Sequence, residues 1–370
     1  MSIKNKKVRV DGDPLWYWYE EAVVPYKAER TVENTAKRIR VYRRWLASQG
    51  GYNHDCHWTD INLDDVSNEV MIDPREVTNT DIEAFLRDLT DAYSANGQHN
   101  ITSSLRKAYS WLETKTEGVE DDVFSYVLEL EEKDILDTPS GRNAYFLPIE
   151  DVRYYIRSWD RPRYSCTNQI AAKYTRRRGG ISNLDFEDVN IDHPACQWSV
   201  RPEIRHWDDH ILFRADKAAS DDGRKSGNKT ATTAKYPLDE ELKRSLLWYL
   251  ACRPEPNNST DPLFLNQYFE RLSGGSLSIA FRERSKEITQ REEGPTCWYG
   301  PNDDDNVNPH YFRHWGTTWY QDHLEDGALV DYLRGDTGSG SKANYNQYSD
   351  IKRQKILDAM PKFFEPYIED

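Results

Sequence analysis

The chain has 370 residues and a formal net charge of −14, because 63 Asp and Glu outnumber 49 Lys and Arg. It has no apolar run of about 18 residues and no apolar secretory segment near its start, which excludes a membrane-spanning protein and predicts a cytoplasmic one. The five cysteines are scattered without a CxxC pair, so we expect reduced thiols and not a disulfide framework.

The acidic charge has two interpretations. Taken alone it argues against nucleic-acid binding, which favours a basic surface, and fits an uncharged or cationic partner. Alternatively, the chain is halophilic, since an acidic surface keeps a protein soluble in a salt-rich cytoplasm. Acidic residues are interspersed even among the basic helices, and we therefore favour the second interpretation.

The first helix is predicted in "TVENTAKRIRVYRRWLASQG", residues 31–50. Thr31 is a suitable N-cap, and Ile39, Tyr42 and Leu46 form an apolar stripe. Arginines and lysines fill much of the remaining surface, and Gly50 ends the pattern.

Two further helices follow. Thr80 and Glu83 have the spacing of a capping box, and the helical period continues to a stop at Gly97. A third helix is predicted over residues 100–115, with Lys107 on its polar face. We therefore predict a polar arm over residues 1–25 and a helical domain over residues 26–136.

A second domain is predicted after a Pro-, Gly- and Ser-containing linker at residues 137–145. Residues 146–370 combine helical patterns, as in "LPIEDVRYYIRSW" and "LDEELKRSLLWYLACR", with short β-like runs, "CQWSV", "HILFRA" and "AKYPL". The predicted fold class is mainly α with a small antiparallel sheet.

The stretch "NPHYFRHW" carries residues suited to chemistry. Pro309 fits the first position of a helix, which would bring His310 and Arg313 onto one helix face. An imidazole and a guanidinium side by side suit a phosphate, because arginine pairs two oxygens at once and keeps its charge.

Four stretches, in order, resemble the tyrosine recombinases, the phage-integrase family. "YTRRRGGISNLDFEDV" resembles the family's first arginine motif, "KTATTAKYPL" its lysine hairpin, "NPHYFRHW" its His-x-x-Arg motif, and "YLRGDTGSGSKANYNQY" its nucleophile segment. The resemblance identifies Arg177, His310 and Arg313 as catalytic residues. It extends weakly to the helical domain at 26–136, as a core-binding domain.

The resemblance implies a tyrosine nucleophile and a lysine that protonates the leaving oxygen. Tyr345 fits the family spacing, and Tyr348, which requires an insertion, is the alternative. Counting back from Pro237 gives Lys229, with Lys225 as the alternative.

The sequence departs from the family at two positions. Asp336 stands 23 residues after Arg313, where the family has His or Trp, and Gly180 replaces an acidic residue. A carboxylate beside a phosphate is repulsive unless it is protonated or paired with a cation such as His314 or Arg334. These departures leave open an inactive DNA-binding relative that acts as a regulator.

Other site types are weakly supported. "NHDCHW" contains His54, Asp55, Cys56 and His57, which are metal-ligand types, but their near-adjacency suits no ordinary zinc spacing. No GxxxxGK[ST] loop is present, so nucleotide hydrolysis is unsupported. We expect neither a metal nor a cofactor.

The resemblance implies a site-specific recombinase or integrase that cuts and rejoins double-stranded DNA through a 3′-phosphotyrosine. It also implies a homotetramer on two DNA sites, docking of the C-terminal segment on a neighbouring subunit, and a viral or mobile-element setting. An accessory directionality factor is a further possible partner. Arg38, Arg44 and Lys107 are candidate phosphate contacts. The rival enzyme class is a type IB topoisomerase, which rejoins the same strand.

Overall fold

The computed structural model divides the chain into two compact units, Met1–Arg142 and Asn143–Asp370. Each unit has its own hydrophobic core. The structure describes residues 7–52, 55–67, 69–119, 146–215, 224, 228, 233–257, 260–289, 307–335 and 348–364. The predicted linker lies outside these residues.

The first unit is helical. Its helices are α1 (Pro14–Trp18), which continues into a turn of π-helix (Tyr19–Val23), α2 (Glu29–Gln49), α3 (Asn79–Ala92) and α4 (Ala95–Lys115). Short 3₁₀ turns occupy Trp58–Asp60 and Leu63–Asp65.

The apolar stripe predicted for α2 is buried. Ile39, Tyr42 and Leu46 are fully inaccessible, and Trp45 joins them with its indole nitrogen 2.8 Å from Asp88 Oδ2. The helix begins at Glu29, before the predicted cap at Thr31, whose amide already bonds to the Ala28 carbonyl.

The capping box of α3 is formed by Thr78 and Asp81, two residues before the predicted pair. The Thr78 side chain accepts from the Asp81 amide, and the Asp81 carboxylate accepts from the Thr78 amide. The helix ends at Ala92 because Tyr93 is extended, and Gly97 lies inside α4. The prediction that this helix ends at Gly97 was therefore wrong.

Part of the predicted N-terminal arm is folded. Asp13 caps α1 by accepting from the amides of Leu15 and Trp16, and Pro14 occupies the first helical position. Leu15 and Trp18 are buried in the core of the first unit. Their helical spacing explains why the segment packs instead of extending into solvent.

The second unit surrounds a small sheet with helices. These are α5 (Ile149–Arg157), α6 (Pro162–Lys173), α7 (Arg178–Ser182), α8 (Glu240–Cys252), α9 (Gly274–Thr289), α10 (Pro309–His323), α11 (Gly327–Arg334) and α12 (Asp350–Ala359). Helix α6 is central, since it packs against both α8 and α10.

The sheet has three antiparallel strands in chain order, β1 (Val189–Asn190), β2 (His210–Phe213) and β3 (Ala234–Pro237). The runs "HILFRA" and "AKYPL" form β2 and β3, as predicted. "CQWSV" forms no strand. Trp198 instead donates to the Val189 carbonyl at 2.9 Å and packs its ring on Phe186.

A buried lysine–carboxylate cluster (Lys173, Asp239 and Glu241) joins α6 to the start of α8. Lys173 Nζ lies 2.6 Å from Asp239 Oδ2 and 3.0 Å from Glu241 Oε2. Burial alone would raise the pKa of both carboxyls, but the Lys173 ammonium and their hydrogen bonds hold each pKa below its usual value.

The same cluster binds the chain after α12. Lys173 donates to the Pro361 carbonyl at 2.8 Å, and Glu241 accepts from the Phe363 and Phe364 amides. Residues 361–364 therefore pack on their own unit, and docking of the C-terminal segment on a neighbouring subunit stays a prediction.

Candidate functional site

Three consecutive arginines precede or begin α7, and each has a different environment. Arg176 is 1% exposed, with its guanidinium carbon 4.7 Å from the Phe213 ring centroid and 4.6 Å from that of Tyr236. Arg177 is the half-buried N-cap, and Arg178 is exposed and donates to Ser278 at 2.8 Å. The predicted arginine, Arg177, is thus the N-cap of this helix.

The turn before Arg177 has an unusual backbone. Thr175 has a φ of 51°, in the left-handed region that β-branched residues rarely adopt. Its hydroxyl donates to the Leu333 carbonyl at 3.1 Å. Tertiary hydrogen bonds therefore stabilise a conformation that the local sequence disfavours.

Helix α10 presents the His-x-x-Arg motif. The Asn308 side chain caps the helix by accepting from the amides of His310 and Tyr311, at 2.8 and 3.0 Å, and Pro309 follows as the first helical residue. This confirms the predicted helix start. The cap fixes the first turn, from which His310 projects.

Arg313 lies on the same helix and is only 3% exposed. Its Nη1 donates to the Thr175 carbonyl at 2.9 Å and to the Arg334 carbonyl at 2.7 Å. One guanidinium therefore joins α10 to the turn that carries Arg177 and to the end of α11.

His310 and His314 stand one helical turn apart on the exposed side of α10, with their Nε2 atoms 3.0 Å apart. Partial burial and then the positive charge of His314, Arg313, Arg177 and Arg178 lower the pKa of His310. The neutral imidazole consequently prevails at neutral pH, as a proton acceptor.

We call Arg177, His310, Arg313 and His314 the arginine–histidine cluster. The pKa of His314 is also lowered, first by partial burial and then by Arg334 and Arg313. Positive charge from Arg177 and Arg313, which belong to two separate sequence motifs, therefore acts on the exposed imidazole of His310. Such an arrangement can bind a phosphate group and exchange a proton with it.

The other predicted catalytic residues, Lys229 (alternative Lys225), Asp336 and Tyr345, lie outside the described residues. Their roles stay predictions. At Gly180, an added Cβ would lie within 4 Å of just one side chain among the described residues, the Phe213 ring at 3.8 Å. The space at Gly180 does not itself forbid the larger residue usual in the family.

Tyr348, the alternative nucleophile, is held in an aromatic cluster. Its hydroxyl is 2.9 Å from His210 Nε2, and its ring packs against Trp207 and Tyr332. Burial raises the pKa of Tyr348 far above its usual value and lowers the pKa of His210 to about 4. Sequence reasoning missed His210, because only the fold brings β2 beside a residue 138 positions away.

Two of the three candidate DNA contacts in the first unit take part in its packing. Arg38 donates to Ser104 and Asn100 of α4, and Arg44 donates to the Ile61 carbonyl at 2.9 Å. Lys107 is exposed. Phosphate binding by these side chains stays a prediction.

Within the described ranges, no group of three or more His, Cys, Asp and Glu side chains is arranged to hold a metal ion. His54 lies outside these ranges. None of the described helices is both long and apolar enough to cross a membrane.

Comparison by sequence finds no matching family model and no matching curated protein. Comparison by structure does find matches. The Tn1549 transposon integrase in complex with transposon right-end DNA aligns with a TM-score of 0.59 and 13% identity, over 93% of this chain and 98% of that one.

A lambda integrase dimer bound to a COC′ core site aligns with a TM-score of 0.58 and 14% identity, over 91% of this chain and 78% of that one. A lambda integrase tetramer bound to a Holliday junction aligns with a TM-score of 0.58 and 12% identity, over 91% and 79%. These alignments include both units, and they confirm the predicted fold class. The chain has the fold of the tyrosine recombinases, the family that its four sequence motifs resemble.

Proposed function

We propose that this protein is a site-specific DNA recombinase or integrase that cuts and rejoins DNA through a phosphotyrosine. The observation that carries the proposal is the joining of two sequence motifs by Arg313. Its guanidinium bonds to the Thr175 carbonyl, two residues before Arg177, and positive charge from both motifs acts on His310. The tyrosine-recombinase fold supports the same function.

In the proposed reaction, Arg177 and Arg313 hold the nonbridging oxygens of one DNA phosphate. Negative charge on these oxygens grows as the phosphorus is attacked, so preformed guanidinium groups stabilise the transition state more than the ground state. The pKa shift of His310 supports a neutral imidazole next to this phosphate.

The phenol oxygen of Tyr345 attacks phosphorus, and the bond from phosphorus to the 5′-oxygen breaks. The phenolic proton passes to the neutral His310, and the departing oxygen takes a proton from Lys229. A DNA 5′-hydroxyl then attacks the tyrosyl phosphate and restores the diester with release of the phenol. The number of phosphodiester bonds is conserved, so the proposed reaction requires neither ATP nor a metal.

The proposed substrate is double-stranded DNA at two sites, held by four copies of the chain. The likeness to a lambda integrase tetramer on a Holliday junction supports this assembly. Integration or excision of a virus or mobile element is the proposed setting, and a directionality factor is a further proposed partner.

The test is covalent capture on a nicked suicide substrate. After cleavage, the short fragment that carries the released 5′-hydroxyl dissociates, which traps the adduct. We expect a protein–DNA adduct with the wild-type chain in EDTA, and none with Tyr345→Phe, although that variant should still bind DNA. An adduct that persists in Tyr345→Phe and disappears in Tyr348→Phe would reassign the nucleophile.

Running the capture at molar and at low salt also tests the halophilic prediction. Binding without any adduct would favour the silent regulator suggested by Asp336 and Gly180. A two-site recombination assay beside a supercoil-relaxation assay separates a recombinase from a type IB topoisomerase, because only the recombinase exchanges strands between duplexes.

A further inference from the structure

Residues 214–233, which connect β2 to β3, include both candidate lysines, and two of the described residues among them bond to the segment after α7. Asn183 Nδ2 donates to Asn228 Oδ1 at 2.9 Å, and Asn228 Nδ2 donates to the Arg214 carbonyl at 2.8 Å. Arg224 donates to the carboxylate of Asp185.

The tie at Asn183 is specific in its geometry. The Asn228 amide uses its oxygen toward Asn183 and its nitrogen toward Arg214, so both ends of the group are fixed. Asn183 is itself 5% exposed and follows directly after α7, the helix that Arg177 caps. The short segment from Arg177 to Asn183 therefore connects the arginine turn to one point of the loop.

The tie at Asp185 belongs to a denser ion-pair cluster. Its carboxylate, 7% exposed, also accepts from Arg271 at 2.7 Å and lies 3.4 Å from Arg201 Nη2. The role of this tie is therefore structural, since several cations share one buried carboxylate.

Each tied residue directly precedes a candidate lysine. Asn228 precedes Lys229, and Arg224 precedes Lys225. Consecutive Cα atoms are only about 3.8 Å apart, so fixing one residue strongly limits where the next can begin.

We propose that Asn183 is a positioning residue that acts through Asn228 to set Lys229 beside the leaving 5′-oxygen. This inference rests on the proposed function and chooses between its two lysines. Asn183 itself would touch neither DNA nor the reacting atoms, so its loss should affect only the step in which the leaving oxygen is protonated.

The experiment compares cleavage of two DNAs that differ in one atom, an ordinary 5′-oxygen and a 5′-bridging sulfur at the scissile phosphate. A thiolate is a far better leaving group than an alkoxide, because thiol pKa values lie near 8.5 and that of water is 15.7. The sulfur substrate therefore needs no general acid.

We expect Asn183→Ala to slow cleavage of the oxygen substrate about 10- to 100-fold, at or below the lower end of the roughly 10²- to 10⁴-fold that a general acid contributes, because Lys229 itself is retained. On the sulfur substrate it should match the wild-type chain. Asn228→Ala, a loop variant that leaves the α7 segment intact, and Lys229→Ala should give the same pattern. Thermal unfolding of each variant separates this effect from loss of the fold.

The matched control is Arg201→Gln, which removes ion pairs to Asp185 and its neighbours Glu187 and Asp188. It removes none to the described loop residues Arg224 and Asn228, and it should cleave both substrates as the wild type does. Arg177→Ala should be slow on both, because it acts on the phosphate.

Equal slowing of both substrates by Asn183→Ala, no slowing of either, or sulfur rescue confined to Lys225→Ala would overturn the inference. Failure of the wild-type chain to cleave either DNA would instead overturn the proposed function, and this inference with it.

Discussion

The arginine–histidine cluster and the lysine–carboxylate cluster lie in the same unit but handle positive charge in opposite ways. The Lys173 ammonium is inaccessible to water and has two carboxylates within 3.0 Å. Around His310, by contrast, the neighbours that lower its pKa are cationic, and the imidazole remains at the surface.

This difference distinguishes a charge cluster that stabilises the fold from one that is suited to binding an anion. Buried charges are tolerated when partners of opposite sign are supplied by the chain itself. Cations gathered beside a solvent-accessible imidazole instead create a potential that attracts anions. A DNA phosphate is the anion that the proposed function brings to the arginine–histidine cluster.

The largest expected effect comes from removing the charge that neutralises the buried carboxylates of the lysine–carboxylate cluster. Lys173→Met should lower the free energy of unfolding by about 3–5 kcal/mol, because two buried carboxylates lose their counter-ion. Urea denaturation measures this loss. The control is Lys362→Met, whose partly exposed ammonium lies 3.2 Å from Asp239 Oδ2 and which should cost at most about 1 kcal/mol. Equal losses in the two variants would show that the burial of Lys173 is unimportant.

The next effect concerns the cluster proposed to bind phosphate. Arg177→Ala should reduce adduct formation about 10²- to 10³-fold, as for other preorganised charge-stabilising groups. Affinity for DNA should change only a few-fold, because binding is spread over many phosphates. The neighbouring exposed Arg178→Ala is the control, with both quantities near wild type. Parallel loss of affinity and cleavage in Arg177→Ala would indicate a general DNA contact.

A smaller effect follows from the direction of the His310 pKa shift. A pKa below the usual 6.5 keeps the imidazole neutral, so cleavage should fall by less than about fourfold between pH 8 and pH 6. The decline should appear as pH falls further and the imidazole gains a proton. His310→Gln should lack this acidic decline. A rate that rises as pH falls from 7 to 6 would identify the imidazolium as the active form.

The smallest effect is expected at Tyr348. Tyr348→Phe removes one hydrogen bond to His210, worth about 1 kcal/mol of stability, and leaves the aromatic packing in place. Adduct formation should persist near the wild-type rate, since Tyr345 is the proposed nucleophile. A variant with native stability and no adduct would contradict that assignment.

Local patterns in the sequence were sufficient for much of this fold. The α2 stripe, strands β2 and β3, and the Pro309 helix start follow from periodicity, turn chemistry and capping, which act between near neighbours. The prediction of a strand at "CQWSV" was wrong. Trp198 contacts Phe186 and Val189, which lie outside this segment, so its local sequence does not reveal these contacts.

The site was predictable to a lesser degree. Arg177, His310 and Arg313 came from motif resemblance, and the charges of the two arginines lower the pKa of His310. Asn183 and Asp185 were passed over, although an amide and a carboxylate between the apolar residues of "ISNLDF" were an available signal. Their partners in the loop, Asn228 and Arg224, are 45 and 39 positions away, a separation that no helical or strand period encodes.

The left-handed backbone at Thr175 has a mechanical consequence. The Thr175 hydroxyl donates to the Leu333 carbonyl. The Arg313 guanidinium donates both to the Thr175 carbonyl and to the Arg334 carbonyl. The final turn of α11, which leads into the segment containing Tyr345, is thereby fastened to the turn that aims Arg177. A displacement of the end of α11 must therefore either break these three hydrogen bonds or move Arg177 with it.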